Sequence, residues 1–384
     1  MPDSRWVLIT GEYPPTIGGV SDHSRQIARG LAADGDEVHV FTPPAPGANP
    51  QDAGVLVHTL RGRYTLRAIA QLDAAFGRLP RPYRVLVAYV PQSFGWRGMN
   101  LPVCLWLRFR SRGERWVIFH EVAFPMRWNQ RIRRNFLGLV HRVMVRLVVG
   151  GAARIFIASP HWEALLRKTA RIDCEITVLP VPTNIPAQAS PNRAAAIRSS
   201  LLTSPGGAII GHFGTYGPRL RSLVAKAIVP LVAASPDRLG LLLGRGADEF
   251  RARLVGKHPE IASRVHAAAE LPGEEVAAHL AACDLLVQPY EDGVGSRRSS
   301  LMAGLALGLP IVTNEGVATE AFWRESGAIA IAHGRWPEEV QHLVEALLSD
   351  GAWRRELGER ARSFYQERFS VEHTLRALRL AARG

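Results

Sequence analysis

Leu285-Leu286-Val287-Gln288-Pro289 is followed by Asp292-Gly293-Val294-Gly295-Ser296-Arg297-Arg298-Ser299-Ser300-Leu301, and then by Met302-Ala303-Gly304-Leu305-Ala306-Leu307-Gly308. An apolar run, a glycine-rich turn with two arginines and a helix that opens on two serines make a strand-turn-helix unit suited to an anion. N–H groups at the helix start, the helix dipole and two guanidinium forks would converge on one phosphate-sized volume. Asp292, Gly293, Ser296, Arg297, Arg298, Ser299 and Ser300 are therefore candidate binding residues, with a nucleotide diphosphate as the expected anion. A solvated loop with exposed arginines is the plainer reading of the same stretch.

The same alternation extends in both directions. Trp6-Val7-Leu8-Ile9-Thr10 reads as a buried strand, Ser21 to Ala33 has helical spacing that ends near Gly35, and Glu37 to Thr42 is strand-like again. Strands over 55–60, 85–90, 116–120 and 153–158 alternate with helical segments. Over 181–204 the texture shifts to Pro, Asn, Ala and Ser, with Pro182, Pro186, Pro191 and Pro205 close together, which marks a linker. Beyond it, strands over 208–213, 239–243, 265–268, 285–288 and 310–313 alternate with helices over 220–234, 274–282 and 299–307. The expected fold is α/β, two Rossmann-like, doubly wound parallel sheets in tandem. The first domain is expected over 1–185 and the second over 186–365. The charged helical stretch 352–383 closes the chain, with 366–384 crossing back to the first domain.

With 384 residues the chain exceeds one ordinary core. Its formal net charge of +13 rests on arginine, because Lys168, Lys226 and Lys257 are the only lysines among 47 basic residues. Such a chain suits nucleic acid, an anionic membrane surface or a phosphorylated substrate, and charge alone does not choose among them. No nucleic-acid-binding module accompanies the charge, so nucleic acid is not an expected partner. Cys104, Cys174 and Cys283 lie far apart with no metal-ligand spacing, and are expected as free thiols in a reducing compartment. Residues 1–5 lead directly into a strand and no window reaches the length of an uncharged membrane span, so a cytoplasmic protein is expected. Residues 126–149 interleave six arginines with Trp128, Ile132, Phe136 and Leu139. That pattern reads either as a helix lying on the anionic inner face of a membrane or as a helix on the sheet with a basic solvated face.

Three further places fall at strand ends, where parallel sheets bind ligands. Gly18 and Gly19, after the first strand, either admit a phosphate or sugar close to the backbone or simply shape a loop. Their spacing is neither Gly-x-Gly-x-x-Gly nor a P-loop. His120, beside Glu121, ends the strand begun at Trp116 and is placed to bond a substrate hydroxyl or phosphate, or else is a satisfied structural histidine. Gly214, Thr215, Tyr216 and Arg219, with Arg221 near by, repeat the strand-turn-helix arrangement and offer a second face for a diphosphate; Gly244-Arg245-Gly246 is a weaker instance.

In order and spacing, Gly11-Glu12-Tyr13-Pro14-Pro15, Gly18-Gly19, Glu37-Val38-His39-Val40, His120, Val178-Leu179-Pro180, Gly244-Arg245-Gly246 and Ala303 to Thr313 resemble the GT-B glycosyltransferases of family 4, over nearly the whole chain. The resemblance implies a nucleotide-sugar donor held by the second domain, and a small-molecule, glycan or lipid-linked acceptor at the first. It implies His120 in the catalytic crevice between the domains, retention of sugar configuration, and no metal or other cofactor. One departure is clear: the family's two glutamates, separated by seven residues, would fall at Gly295 and Ala303. The basic turn replaces them, which implies a stronger phosphate grip or a donor with an extra anionic group. Two other classes remain open on these residues, a GT-B sugar-nucleotide epimerase and a catalytically inactive glycosyltransferase-like binding protein.

Overall fold

The computed structural model describes residues 4–16, 18–47, 49, 51–202, 204, 206–334 and 337–383. Pro205, counted in the expected linker, and Gly384 lie outside them. The chain divides into two compact units, Met1–Val181 with Val371–Gly384, and Pro182–Ser370.

The first unit is built on β1 (Arg5–Thr10), β2 (Glu37–Thr42), β3 (Gln51–Asp52), β4 (Val55–Thr59), β5 (Arg84–Tyr89), β6 (Glu114–Phe119), β7 (Arg154–Ile157) and β8 (Ile176–Val178). They pair in the order β3-β4-β2-β1-β5-β6-β7-β8, and only β3 runs antiparallel to its neighbour. Helices cover both faces, so these strands are apolar almost throughout. Successive side chains still separate by face. Val7 and Ile9 of β1 join a core with Val85 and Val87, while Trp6 and Leu8 join another with Trp116 and Phe156.

The second unit repeats the plan with β9 (Ala208–Phe213), β10 (Arg238–Leu243), β11 (Val265–Ala268), β12 (Leu285–Gln288), β13 (Ile311–Asn314) and β14 (Ala330–Ala332). Its order is β11-β10-β9-β12-β13-β14, all parallel. Each β-strand-to-helix turn therefore opens at one edge of the sheet.

Three expectations require correction. Much of the proline-rich stretch after Val181 is a helix, Pro191–Leu201, begun by the Ser190 hydroxyl accepting from the Arg193 N–H and by Pro191 in the first turn. The basic helix starts at Ile132, six residues later than expected. The Asn135 amide exchanges two hydrogen bonds with the Arg127 backbone and holds the preceding segment as a loop. The closing stretch is two helices, Gly351–Arg368 and Val371–Arg383, because buried Phe369 leaves the helical path to stack on Trp323 with ring centroids 5.5 Å apart. The final helix packs against the helix Gly19–Ala33 in the first unit, where Leu378 is buried and Arg379 pairs with Asp34 at 2.9 Å.

The helix Ser299–Leu307, which carries the basic turn at its start, ends at Gly308 in the left-handed region with φ of 69°. The helix Gly351–Arg368 crosses it closely: a Cβ at Gly358 would stand 2.4 Å from the Gly308 carbonyl oxygen. Backbone cannot swing away as a side chain can. Gly358→Ala should destabilise the second unit by about 1–3 kcal/mol, measured as a lower denaturant midpoint with an unchanged slope.

Candidate functional site

In the second unit, the carboxyl ends of β9, β10 and β12 open on a cavity of about 840 Å³. Gln288 closes β12, and the chain turns through Pro289 to Arg298 before the helix begins. This turn is tied to the segment after β13. Asn314 clasps the Tyr290 backbone at 2.8 and 2.9 Å, and the Val294 and Ala318 N–H groups donate to the Asn314 and Asp292 carbonyls. Gly293 has φ of 87°, and a Cβ there would come within 2.3 Å of the Gly316 nitrogen, so the crossing needs glycine. Ser296 is buried, its hydroxyl donating to the Glu320 carboxylate at 2.6 Å. It anchors the turn and, like Gly293, does not line the cavity.

Arg297, Arg298, Ser299 and Ser300 do line it, with Asp292 and Glu291. Both guanidinium groups turn to one carboxylate: Arg297 meets Asp292 at 3.0 Å and Arg298 meets its other oxygen. The Arg298 guanidinium also lies 4.7 Å from the centre of the Tyr290 ring, a cation–π contact that holds the charge flat on the cavity wall. Tyr290 in turn shares a 3.2 Å hydrogen bond with Ser300. No side chain caps the start of the helix Ser299–Leu307, which leaves its dipole directed at the two arginines. Two cations share one carboxylate here, and their surplus positive charge suits an incoming phosphate group.

The opposite wall comes from the turns after β9 and β10. Gly244, with φ of 104°, approaches so closely that a Cβ would stand 2.3 Å from the Gly214 carbonyl oxygen. The turns are further joined by the Tyr216 N–H donating to the Arg245 carbonyl. Gly214, Thr215, Gly244 and Arg245 face the cavity, but the Tyr216 side chain turns into the core, stacked on Phe250 and bonded to His212 at 2.9 Å. Arg219 stays at the rim, paired with Glu291 at 3.2 Å. Arg221 is a structural residue, since its guanidinium donates to the Tyr216 carbonyl and pairs with Glu249. Gln288, in sequence simply the end of a strand, lines the cavity, and its buried side chain has neither amide atom hydrogen-bonded among the described residues. Its signal was its position as the last residue of a strand at the binding edge. The Tyr290 signal was weaker, because only the fold brings its ring beneath Arg298.

Gly18, Gly19 and His120 belong to the first unit. Gly18 precedes the helix Gly19–Ala33 in extended backbone, where a Cβ would meet only the flexible Glu12 side chain, and a Cβ at Gly19 would meet nothing within 4 Å, so neither position needs glycine for its own conformation. His120 follows β6, its N–H donating to the Tyr89 carbonyl. Its ring meets that of His23 edge-on at 5.1 Å, and His23 is buried. Sequence inspection overlooked His23, which sits on a helix face otherwise occupied by core residues. Among the described residues, no group of three His, Cys, Asp or Glu side chains is placed to hold a metal ion.

Burial keeps these histidines neutral. The His120 pKa is lowered to about 4, that of His212 to about 3, and that of His23 well below its ordinary value, where the neighbouring His120 adds to the effect. In the unfolded chain each would bind a proton near pH 6.5. Between these values the unfolded state holds more protons, so the stabilisation is complete above about pH 6.5 and is lost progressively as pH falls. Denaturant unfolding should show lower stability at pH 5 than at pH 7, and His212→Gln should remove about 2 kcal/mol of that difference.

Comparison with known proteins places the chain in a family. A glycosyl transferase 4-like domain model matches residues 18–180, and a glycosyl transferase-like model matches residues 238–379. No curated protein matches the sequence. Among solved structures, sucrose-phosphate synthase from Thermosynechococcus elongatus is similar with a TM-score of 0.69 and 19% identity, over 99% of this chain and 98% of that one. Anabaena HepE in complex with UDP and glucose has a TM-score of 0.69 and 16% identity, over 98% and 99%. A glycosyltransferase from Rickettsia africae reaches 0.74 at 12% identity, over 99% and 98%. These likenesses concern the fold, and the two family models, which together match most of the chain, concern descent: the chain belongs to the GT-B glycosyltransferases of the family 4-like group.

Proposed function

We propose that the chain moves a sugar from a nucleotide-sugar donor to an acceptor hydroxyl, with the donor diphosphate bound in the cavity of the second unit. The observation that carries this reading is the meeting of Arg297, Arg298 and an uncapped helix start at the mouth of β12. Negative charge grows on the leaving diphosphate as the glycosidic bond breaks, and fixed guanidinium groups oriented beforehand stabilise it. This assigns to arginine the charge compensation that a metal would otherwise supply. Glu291 and Asp292 line the same cavity and are the carboxylates available to sugar or ribose hydroxyls in place of the glutamate pair that Gly295 and Ala303 displace. The UDP and glucose bound to HepE, a protein of the same fold, are of the ligand class proposed here.

No protein nucleophile is assigned. In this reading the reaction proceeds with retention on one face of the sugar, the leaving phosphate accepting the proton of the acceptor hydroxyl. His120, neutral at physiological pH, offers a hydrogen bond to the sugar or the acceptor without adding charge. The acceptor is a small molecule, a glycan or a lipid-linked sugar. Free thiols at Cys104, Cys174 and Cys283 support a reducing, cytoplasmic setting.

Calorimetric titration with nucleoside diphosphates tests the site. Arg297→Ala and Arg298→Ala should each weaken binding roughly 10- to 100-fold, the worth of one charge-assisted hydrogen bond, and unchanged affinity would remove the diphosphate from this cavity. His120→Ala should lower kcat by about tenfold, the worth of one neutral hydrogen bond, while the unfolding midpoint shifts little; a normal rate would take His120 out of the site. Diphosphate binding without turnover across a panel of nucleotide sugars would favour the inactive, nucleotide-binding reading.

A further inference from the structure

The helix Ile132–Val149 is apolar on two opposite sides. Gly138, His141, Met144, Val145 and Val148 are buried against the first unit. At steps of three and four residues, Ile132, Phe136, Leu139 and Val143 form a second stripe on the far side, all exposed, Ile132 at 87% and Phe136 at 57%. The helix Leu101–Phe109 packs beside it and exposes Leu105 and Phe109, the latter at 69%. Trp128, in the loop ahead of the basic helix, is fully exposed. Isolated apolar residues on a surface are ordinary, but a stripe of large ones opposite the core face is not.

The segments that carry this stripe bear charge of one sign, and the carboxylates beside them, Asp73 and Glu163, are paired with Arg110 and Arg167. No Asp or Glu occurs over residues 122–162, nor over 74–113. Arg127, Arg131, Arg133 and Arg134 are exposed, and no carboxylate pairs with them among the described residues. A second copy of the same face would bring arginines against arginines. Nucleic acid would satisfy the arginines and leave the stripe in water. An anionic bilayer satisfies both, taking apolar side chains at the level of the acyl boundary and guanidinium groups at the lipid phosphates.

We propose that the stripe on the helix Ile132–Val149, with Trp128 and the exposed ends of the helix Leu101–Phe109, is a membrane-docking surface selective for anionic lipid. It seats the first unit on the bilayer without crossing it: among the described residues no helix is long and apolar enough to span a membrane. Trp128 is the interfacial anchor, an amphipathic ring at headgroup depth. The inference is independent of the sugar chemistry, since none of these residues lines the cavity of the second unit.

The test is sedimentation of the full-length protein with vesicles of phosphatidylcholine alone or mixed with phosphatidylglycerol. The wild type should sediment with the mixed vesicles, release as salt rises, and show Trp128 fluorescence quenched by brominated lipid, a signal lost in Trp128→Phe. Replacing Arg131, Arg133 and Arg134 by Gln should weaken partitioning about fivefold per arginine that reaches the headgroups. Phe136→Ser with Leu139→Ser should weaken it by about tenfold or more, while nucleoside diphosphate affinity, set in the other unit, stays at the wild-type value. Equal sedimentation with both vesicle types at low salt would overturn the proposal. So would a wild-type dimer that the Phe136→Ser and Leu139→Ser pair dissociates, which would give this face to a second copy, or RNA binding in the absence of vesicle binding.

Discussion

A parallel strand can be followed by another in the same sheet only after the chain has crossed back over one face. Everything functional in this protein depends on that constraint. Apart from the link between β2 and β4, which runs through the antiparallel β3, each crossover here contains a helix, so the parallel strands of a sheet end at the same edge and the crossover helices begin there. Backbone donors at helix starts and loop residues after strands are thereby concentrated at one edge of each sheet. In the second unit, β9, β10 and β12 place their turns around a single cavity; in the first, Gly18 and His120 come from turns after β1 and β6.

What turns such an edge into a specific site is how firmly each turn is held. The basic turn does not depend on its own arginines for its shape. Asn314 holds Tyr290, Glu320 holds Ser296, and Gly293 lets the chain cross Gly316 without a clash. With the backbone secured from outside, Arg297 and Arg298 are left to interact with Asp292, with the Tyr290 ring and with whatever enters the cavity. The pairing with Asp292 lowers the cost of bringing two guanidinium groups together, and one carboxylate leaves part of their charge uncompensated.

Much of this could be read along the chain. Apolar runs alternating with helical spacing identified both sheets, and glycine, paired arginine and serine at a strand end marked the basic turn that lines the cavity. Features set by contacts distant in sequence were not visible. Tyr216 looked like a loop residue facing a ligand, yet His212 and Phe250 draw it into the core. Gln288 looked like the end of a strand, yet it lines the cavity with a buried amide that has no hydrogen-bond partner among the described residues. The three-residue strands β8 and β14 are too short for periodicity to register. The helix Pro191–Leu201 did carry a start signal in Ser190-Pro191, masked by the surrounding prolines.

Local sequence therefore determined which segments become strands and helices and which strand end carries glycine, serine and two arginines together, because hydrophobic period, glycine and charge act over a few residues. Tertiary structure decided which side chains at that edge face the cavity, since a buried partner such as Phe250 or Glu320 can turn a side chain away from it. It likewise decided the character of the basic helix. Its arginines and apolar residues are evident in the sequence, but only packing against the sheet shows that one apolar stripe is used in the core and a second is left exposed opposite it. A side chain's partners are set by the fold as a whole, and the residues that supply them lie tens of positions away.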